Sequence, residues 1–249
     1  MRDQQKQLAL VTGATSGIGK AIVVALSQAG YPVVALGRNQ IALNELSTLP
    51  GVTALQADVC DQKTMADIIE TYSPGVLVNN AGILSTRAAF PEIDPAEIDR
   101  MLDINLKAPL HLTRQAIPGM VQRRQGHIFF IGSSAGRTAH PNAAVYGASK
   151  AGISLFCDAL RCDLPGSGVR VTEIAPGRVR TQLYRTAISA GKVDSELYDG
   201  YESIQPEDIA QLLITALEMP AAVDVSRMEV FPTSQAVGGA RMVKTIAAE

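Results

Sequence analysis

The sequence has little of what marks a nucleic-acid-binding, membrane or secreted protein. Its 249 residues contain no tryptophan, three cysteines and 22 Lys and Arg against 24 Asp and Glu, a formal net charge of −2. No excess of positive charge therefore favours binding to nucleic acid or to an anionic membrane. No run of about 20 apolar residues occurs, and the N-terminus lacks the apolar core of a signal peptide. We therefore expect neither a membrane nor a nucleic acid as a partner.

Cysteine and histidine are too scattered to predict a metal centre. Zinc pairs and redox pairs need close spacing, whereas Cys157 and Cys162 lie five positions apart. The three histidines have no ligand spacing with one another or with a cysteine. These residues are Cys60, Cys157, Cys162, His111, His127 and His140. We expect free thiols, no metal, and a location in a reducing cytoplasm.

Short apolar runs alternate with longer amphipathic segments along the whole chain. The runs predicted as strands are 7–13, 32–37, 52–59, 75–82, 126–134, 169–177 and 227–233. Because they are apolar throughout rather than alternating, both faces of the sheet should be buried between helices. The repeated strand–helix–strand order predicts the α/β class, as a single-domain Rossmann-type doubly wound parallel sheet of about seven strands.

Local signals mark where helices begin. The segment 17–30 predicts a helix that ends at Gly30, and Asp94, Pro95 and Glu97 resemble a capping box with Asp94 as the N-cap. Pro206, followed by two acids, opens another helix. No repeat or linker divides the chain, so we predict one domain over 1–249. Residues 182–205 are polar and without firm periodicity, which is typical of a lid over a site.

A glycine-rich loop follows the first strand and leads into the first helix. Gly13, Gly17 and Gly19 would allow, in turn, a tight turn, close approach of a pyrophosphate and close packing of helix on strand. The N-terminus of the helix would add unpaired N–H groups and a positive dipole for phosphates. An ordinary glycine-rich turn is the alternative, but the strand before the loop and the helix after it favour a dinucleotide site.

The second predicted strand ends at Gly37, and Arg38 follows it. About 20 residues after the glycine loop, an NAD site needs a carboxylate for the ribose hydroxyls. A 2′-phosphate would be repelled by that carboxylate and would instead favour a guanidinium. Arg38 therefore predicts NADP(H) rather than NAD(H), although an arginine exposed on a turn would have the same sequence.

Tyr146 and Lys150 are four residues apart at the start of a predicted helix, and therefore share one face. A free phenol has a pKa of about 10, which makes it a poor acid–base catalyst at neutral pH. A nearby ammonium favours the phenolate, and lowering the pKa to about 7 requires roughly 4 kcal/mol. A tyrosine and a lysine exposed on a helix would share this spacing, so the rest of the sequence must decide.

Several motifs in order resemble the short-chain dehydrogenase/reductase family over nearly the whole chain. They are "TGATSGIG" at 12–19, "NNAG" at 79–82, Asn105 in "MLDINLKAP", a serine after the fifth strand, "YGASK" at 146–150 and "PGRVRT" at 176–181. The C-terminal "QPEDIA" and "MEVFPTSQAVGG" more loosely resemble the NADP-dependent 3-hydroxy acid dehydrogenase branch.

The resemblance implies a role for each catalytic residue. Tyr146 would exchange a proton with the substrate oxygen, and Lys150 would lower its pKa and hydrogen-bond the nicotinamide ribose. Asn105 would hold a water in the proton relay. Ser133 and Ser134 are adjacent, and the family spacing of 13 residues before the tyrosine selects Ser133 to polarise the carbonyl.

The resemblance also implies the cofactor contacts. Asp58 would accept from the adenine amino group, the backbone of 80–82 would pass the adenosine ribose, and Val179 and Thr181 would meet the nicotinamide carboxamide. The complete predicted NADP(H) set is Gly13, Thr15, Ser16, Gly17, Ile18, Gly19, Arg38, Asp58, Val59, Asn80, Ala81, Gly82, Tyr146, Lys150, Pro176, Gly177, Val179 and Thr181. A homo-oligomer, dimer or tetramer, is implied as well.

These features predict an NADP(H)-dependent oxidoreductase that interconverts a small alcohol and its carbonyl compound, with a 3-hydroxy acid among the candidate substrates. A ketone or 3-oxoacyl reductase of the same family is the alternative within this class. A non-catalytic dinucleotide-binding regulator is the alternative outside it. Arg178, Arg180 and Arg185 follow the sixth strand, where one of them could bind a substrate carboxylate or the cofactor phosphates, or all three could be solvated.

Overall fold

Seven apolar segments form one parallel sheet, in the order β3-β2-β1-β4-β5-β6-β7. The structure is a computed structural model that describes residues 6–187, 197–200, 202–236 and 242–243. In chain order, the strands β1 to β7 are Ala9–Val11, Val33–Gly37, Val52–Gln56, Val76–Asn79, Gly126–Ile131, Val169–Pro176 and Arg227–Val230. The predicted α/β class and doubly wound parallel sheet are confirmed.

Helices cover both faces of the sheet. The helices α1 to α7 are Gly17–Gln28, Gln40–Leu46, Gln62–Tyr72, Pro95–Leu102, Ala108–Gln122, Ala144–Asp163 and Pro206–Leu217. A π-helical turn, Asp103–Lys107, joins α4 to α5. Among the described helices, none has the length and apolar character needed to cross a membrane.

Successive residues of each central strand enter two separate cores. In β1, Ala9 and Val11 pack on one side with α1 and α7, whereas Leu10 packs on the other with α3, α5 and α6. Phe129 and Phe130 of β5 divide in the same way, and both are buried. Burial on both faces accounts for the absence of polar alternation in these strands.

Most strands end earlier than the apolar runs predict. The runs at 7–13, 52–59, 75–82 and 126–134 continue for two or three residues after β1, β3, β4 and β5 have ended. These extra residues leave the sheet at its carboxyl edge, where all but Thr12 and Ser134 line a cleft described below. An apolar run reports burial but not the hydrogen-bond ladder, so it cannot locate the end of a strand.

The two predicted helix starts differ in their capping. The Asp94 carboxylate accepts from Ala96 N at 2.8 Å, as an N-cap should, but Glu97 pairs with Arg100 at 3.5 Å. The capping box predicted at Glu97 is therefore wrong, because this side chain reaches forward along the exposed helix face. In α7, Asp208 does reach back, and accepts from Gln205 N at 2.8 Å. Of the predicted lid, residues 188–196 and 201 lie outside the described part of the chain.

His127 of β5 has a buried imidazole. Its Nε2 lies 2.8 Å from Thr172 Oγ1, and it is 1% exposed. Burial, with a smaller contribution from Arg170, lowers the pKa of His127 to about 2. In the unfolded chain His127 would have a pKa near 6.5, so it binds a proton more readily in the unfolded state than in the folded state.

We predict that His127 makes the fold sensitive to acid. Because the folded pKa lies below the unfolded one, the unfolded chain binds more protons, and stability falls as the pH drops below about 6.5. Between pH 6.5 and 5 this loss is about 2 kcal/mol. Urea unfolding at both pH values should show a loss about 2 kcal/mol larger in wild type than in His127→Leu, because His140, whose pKa is also lowered, contributes equally to both proteins. His111→Gln, at an exposed histidine, should keep the wild-type loss; equal losses in wild type and His127→Leu would contradict the assignment.

Candidate active site

The main cleft lies where the strand order reverses. Strand β1 pairs with β2 on one side and β4 on the other, so the connections from β1 and β4 leave in opposite directions. Open α/β sheets bind ligands outside the carboxyl ends of strands at such a point. Here the cavity measures about 420 Å³, within the range of small-molecule sites.

The glycine loop lies directly on the segment that follows β4. Gly13 has a φ of +63°, and a Cβ there would lie 2.9 Å from Ala81 Cα. A Cβ at Gly19 would overlap the Gly13 carbonyl oxygen and the Asn80 amide. The loop can therefore turn into α1 only with glycine at these positions, and α1 directs its N-terminus into the cleft.

Two polar side chains join the loop to β4. Asn80 Nδ2 donates to Thr12 O at 2.9 Å and to Gly13 O at 3.1 Å. The hydroxyl of Thr12, which is buried, accepts from the backbone N–H groups of Asn80 and Ala81, both at 3.1 Å. Sequence analysis assigned no role to Thr12, although its place at the end of a buried strand could have indicated one. Asn80 was predicted only for a backbone contact, whereas the structure shows that its side chain joins β4 to the glycine loop.

Arg38 extends from the end of β2 and is exposed. Among the ion pairs of the described residues, none involves Arg38. Nearby, the Asp58 carboxylate accepts from Cys60 N at 2.9 Å. Both Arg38 and Asp58 line the cavity, so the guanidinium is available to an anion at this end.

Gly37 is also a steric requirement. A Cβ on Gly37 would overlap Thr15 Cγ2 of the glycine loop and lie 3.1 Å from Thr15 Oγ1. Sequence analysis interpreted Gly37 only as the missing carboxylate of an NAD site. The structure adds that β2 and the glycine loop are too close together for any side chain here, unless Thr15 becomes smaller.

Helix α6 carries Tyr146 and Lys150 into the opposite end of the cleft, one turn apart. Tyr146 is 9% exposed and Lys150 is 6% exposed. Lys150 Nζ donates to Ile131 O at 2.7 Å and lies 5.9 Å from the centroid of the Tyr146 ring. The Ser133 hydroxyl lies close enough to the Tyr146 phenol to lower its pKa, and Ser133 lines the cavity whereas Ser134 does not. The structure thus brings Ser133, Tyr146 and Lys150 together.

Burial dominates the electrostatics of this group. It lowers the pKa of Lys150 to about 8, although the nearby Glu173 carboxylate opposes that change. Burial raises the pKa of Tyr146, also with a contribution from Tyr184, while the hydrogen bond to Ser133 lowers it. The protein groups by themselves therefore do not lower the Tyr146 pKa in the direction that sequence analysis expects.

Glu173 is itself part of a buried ion pair below the site. Its Oε2 lies 2.7 Å from Arg227 Nε and accepts from Ser154 Oγ at 3.1 Å. Glu173 is 1% exposed, and burial raises its pKa. Arg227 and Ser154 together stabilise the Glu173 carboxylate beneath Lys150, and so offset part of the cost of removing this charge from water.

Asn105 lies in the π-helical turn and is 1% exposed. Its amide pairs with both backbone groups of Ile83, Oδ1 accepting from the N–H at 2.8 Å and Nδ2 donating to the carbonyl at 2.9 Å. Nδ2 also donates to Ser149 Oγ at 3.3 Å, and that hydroxyl donates to Tyr146 O at 2.7 Å. Asn105 thus connects the loop after β4 with the helix that carries Tyr146.

The loop after β6 closes the cleft from above. Its Gly177 N–H donates to Val230 O at 2.7 Å, and the hydroxyl of Tyr198 donates to Val179 O at 3.2 Å. Thr181 N–H donates to the Tyr198 oxygen at 3.4 Å. These contacts hold the segment predicted to meet a nicotinamide against the glycine loop.

The cavity gathers nearly all of the residues predicted to bind the cofactor. Only Gly19, which packs beneath the loop, does not line it, and the predicted relay residue Asn105 lies behind the wall. Lining residues that sequence analysis missed are Asn39, Ala57, Ile83, Ile104, Ile131 and Gly132, whereas Gln182, Leu183 and Tyr184 belong to the predicted lid and Gly37 to the predicted ribose position. Among the described residues, no cluster of His, Cys, Asp or Glu could hold a metal ion.

Fold and site together define a doubly wound α/β protein with a glycine-loop cleft at its switch point. A family model described as short chain dehydrogenase matches residues 7–190. An uncharacterized short-chain type dehydrogenase/reductase of Sinorhizobium fredii is 52% identical over 96% of each chain. The chain therefore belongs to the short-chain dehydrogenase/reductase family.

Two further comparisons concern the branch of the family. The NADP-dependent 3-hydroxy acid dehydrogenase YdfG of Escherichia coli is 34% identical over 93% of this chain and 97% of its own. The closed form of serine dehydrogenase complexed with NADP+ superimposes with a TM-score of 0.89 at 33% identity, covering 96% of this chain and all of that one. The looser resemblance to the 3-hydroxy acid dehydrogenase branch agrees with both.

We predict that Gly37→Ala destabilises the protein by about 1–3 kcal/mol, because the new methyl overlaps Thr15. Thr15→Ser removes Cγ2, so the double variant Gly37→Ala/Thr15→Ser should recover most of the loss in urea unfolding. Gly19→Ala provides the control, since its methyl would overlap backbone and Thr15→Ser should not rescue it. Additive effects of Gly37→Ala and Thr15→Ser would contradict the proposed contact.

Proposed function

We propose that the protein is an NADP(H)-dependent oxidoreductase that interconverts a small alcohol, with a 3-hydroxy acid as a candidate, and its carbonyl compound. The observation that carries this proposal is that Ser133 lies beside buried Tyr146 and Lys150 at one end of a cleft whose other end carries the glycine loop and Arg38. A phenol, a hydroxyl and an ammonium in such a position suit proton exchange with a substrate oxygen.

The residues present fit NADP(H). The close packing at Gly13 and Gly19 leaves backbone N–H groups of α1 to receive a pyrophosphate, as in other dinucleotide sites. At the adenosine end, Arg38 has no carboxylate partner among the described residues and would hold the 2′-phosphate by charge-assisted hydrogen bonds. The names of YdfG and of the serine dehydrogenase complex, which include NADP, support the same cofactor.

When bound, NADP(H) supplies the hydride chemistry, and the positive charge of its oxidised nicotinamide favours the phenolate. In the reductive direction, Tyr146 would donate its proton to the substrate oxygen while the Ser133 hydroxyl stabilises the developing charge. Lys150, held by Ile131 O, would place a positive charge near the phenolate and hydrogen-bond the nicotinamide ribose. Tyr146 and Ser133 would therefore act on the substrate oxygen itself, whereas Lys150 would act on it only through the phenolate.

Asn105 would act by holding neighbouring residues in place. Both hydrogens of its amide donate to Ile83 O and Ser149 Oγ, and its Oδ1 accepts from Ile83 N. Both Nδ2 hydrogens are therefore used, so a relay water could only donate to Asn105, either to the second lone pair of Oδ1 or to the main-chain carbonyl. Through Ser149, the side chain would hold the first turn of α6 and with it Tyr146.

The alternatives make distinct predictions. A ketone or 3-oxoacyl reductase would use the same residues and differ only in the substrate pocket. A dinucleotide-binding regulator would not require Ser133, Tyr146 and Lys150 to lie together at one end of the cleft, so this grouping argues against it. A homo-oligomer and a cytoplasmic location stay predictions.

We predict that Tyr146→Phe lowers kcat by about 10²–10⁴-fold, because the proton donor is lost while the shape of the cleft is retained. Affinity for NADPH, measured by the fluorescence of the bound nucleotide, should change little. Tyr72→Phe, on α3 and outside the cleft, should keep wild-type kcat. Unchanged turnover in Tyr146→Phe would refute the assigned acid, whereas binding of NADPH without turnover of any alcohol or carbonyl compound by the wild type would favour the regulator.

We predict that Arg38→Leu raises the KM for NADPH about 10- to 100-fold and leaves the KM for NADH nearly unchanged. A reversal of preference towards NADH needs an added carboxylate and space for it. The triple variant Thr15→Ser/Gly37→Asp/Arg38→Leu provides both, and should prefer NADH in kcat/KM measured with the two cofactors side by side. Equal effects of Arg38→Leu on both cofactors would contradict a contact with the 2′-phosphate.

A further inference from the structure

A second, smaller cavity adjoins the cofactor cleft at Ser133 and Tyr146. Its volume is about 60 Å³, and it shares these two residues, Gly177 and Tyr184 with the larger cavity. Sites for drug-sized ligands measure about 300–1,000 Å³, so this one suits only a group of a few atoms. It lies on the side of Tyr146 away from Arg38 and the glycine loop, where a substrate would approach.

The charged side chains that line this cavity, among the described residues, are basic and not acidic. Arg87, His140 and Arg178 line it, and none of its other described lining residues is an aspartate or a glutamate. Arg87 and Arg178 are both close enough to His140 to lower its pKa, after the larger effect of burial. Basic groups gathered without a carboxylate repel one another, and an anion between them would remove that cost.

Arg178 is fixed in place by the protein. Its backbone N–H donates to Gln235 Oε1 at 2.8 Å, and its guanidinium Nη1 donates to Leu197 O at 3.1 Å. The remaining guanidinium N–H groups have no partner among the described residues. A half-buried guanidinium held in this way can bind a carboxylate or sulfonate with two parallel hydrogen bonds.

His140 adds an unpaired polar atom. Its Nε2 is buried and has no hydrogen-bond partner among the described residues, although the imidazole lines the cavity. A buried polar atom without a partner costs about 1–3 kcal/mol. A ligand oxygen in the cavity would satisfy this atom if the neutral ring carries its proton on Nε2.

The other two arginines of the same loop are less suitable. Arg180 is exposed, packs over the Tyr198 ring at 5.2 Å and lines a different cleft, between α1 and α7. The side chain of Arg185 lies outside the described part of the structure. Of the three arginines that sequence analysis left open, only Arg178 has a described contact with the cavity beside Tyr146.

We propose that this cavity is an anion subsite in which Arg178, assisted by His140, binds the acid group of a short hydroxy-acid or oxo-acid substrate. The acid group would be a carboxylate or a sulfonate on the same small substrate whose carbinol carbon faces Tyr146. This proposal rests on the proposed oxidoreductase function. It names the chemical class of substrate that the function leaves open.

Two measurements test the subsite independently. The first is turnover with NADP+ of short 2- and 3-hydroxy acids, each beside its uncharged methyl ester and amide. The second is calorimetric binding of propanoate, ethanesulfonate and the neutral propanamide to the NADP+ complex, which requires no turnover. Both are made on wild type, Arg178→Gln, Arg178→Lys, His140→Gln and Arg180→Gln, after each variant is shown to bind NADP+.

We expect the wild type to bind an acid and to exclude propanamide. Arg178→Gln should lower kcat/KM for the acid about 10- to 100-fold and leave that for the ester within about threefold. Arg178→Lys should recover part of the loss, His140→Gln should cost a few-fold, and Arg180→Gln should behave as wild type.

Failure of the subsite and failure of the proposed function are distinguishable. Turnover of neutral alcohols with no binding of propanoate or ethanesulfonate would overturn the subsite and leave the oxidoreductase intact. A loss in Arg180→Gln but not in Arg178→Gln would overturn the assignment to Arg178. Binding of an acid that depends on Arg178, without turnover of any compound, would support the subsite and overturn the proposed function.

Discussion

The close approach of the glycine loop to the chain after β4 is the constraint on which the rest of the site depends. Gly13, Gly19 and Asn80 meet so closely that an added Cβ at either glycine would contact backbone. Beyond the ends of β1 and β4, the hydroxyl of Thr12 and the amide of Asn80 form hydrogen bonds with backbone groups that no longer pair between the two strands. Because β1 and β4 are thereby joined at their carboxyl ends, the cleft has a fixed floor, and α1 begins within it.

The proposed chemistry depends on a balance between burial and charge. Burial disfavours both the phenolate of Tyr146 and the ammonium of Lys150. Glu173, paired with Arg227, favours the ammonium from below, and the Ser133 hydroxyl favours the phenolate from the side. Protein groups offset only part of the burial cost, so the proposed reaction would gain its remaining driving force from a cationic nicotinamide. This arrangement would couple the acidity of Tyr146 to the presence of oxidised cofactor.

Much of the fold was predictable because it depends on patterns among residues that are close together in the sequence. Apolar runs identify all seven strands, and the residues of the Tyr-x-x-x-Lys motif lie on one face of α6 as the period of a helix requires. The strand ends were not predictable, since hydrogen-bond ladders depend on neighbours distant in sequence. The Glu97 cap was not predictable because the spacing allows Glu97 to pair either with the N-cap N–H or with Arg100. The use of the Asn105 amide by Ile83 and Ser149 was hidden for the same reason.

By itself, the sequence determined the fold class, the family and the residue types that a dinucleotide and a proton transfer require, because periodicity and motif spacing are properties of the chain. Only the tertiary structure decided how these residues meet. It made Gly37 a contact of Thr15, placed Ser133 but not Ser134 in the wall of the larger cavity, and placed Arg178 rather than Arg180 beside Tyr146. Each of these outcomes depends on distances between segments far apart in sequence, which the packing of helices on the sheet sets.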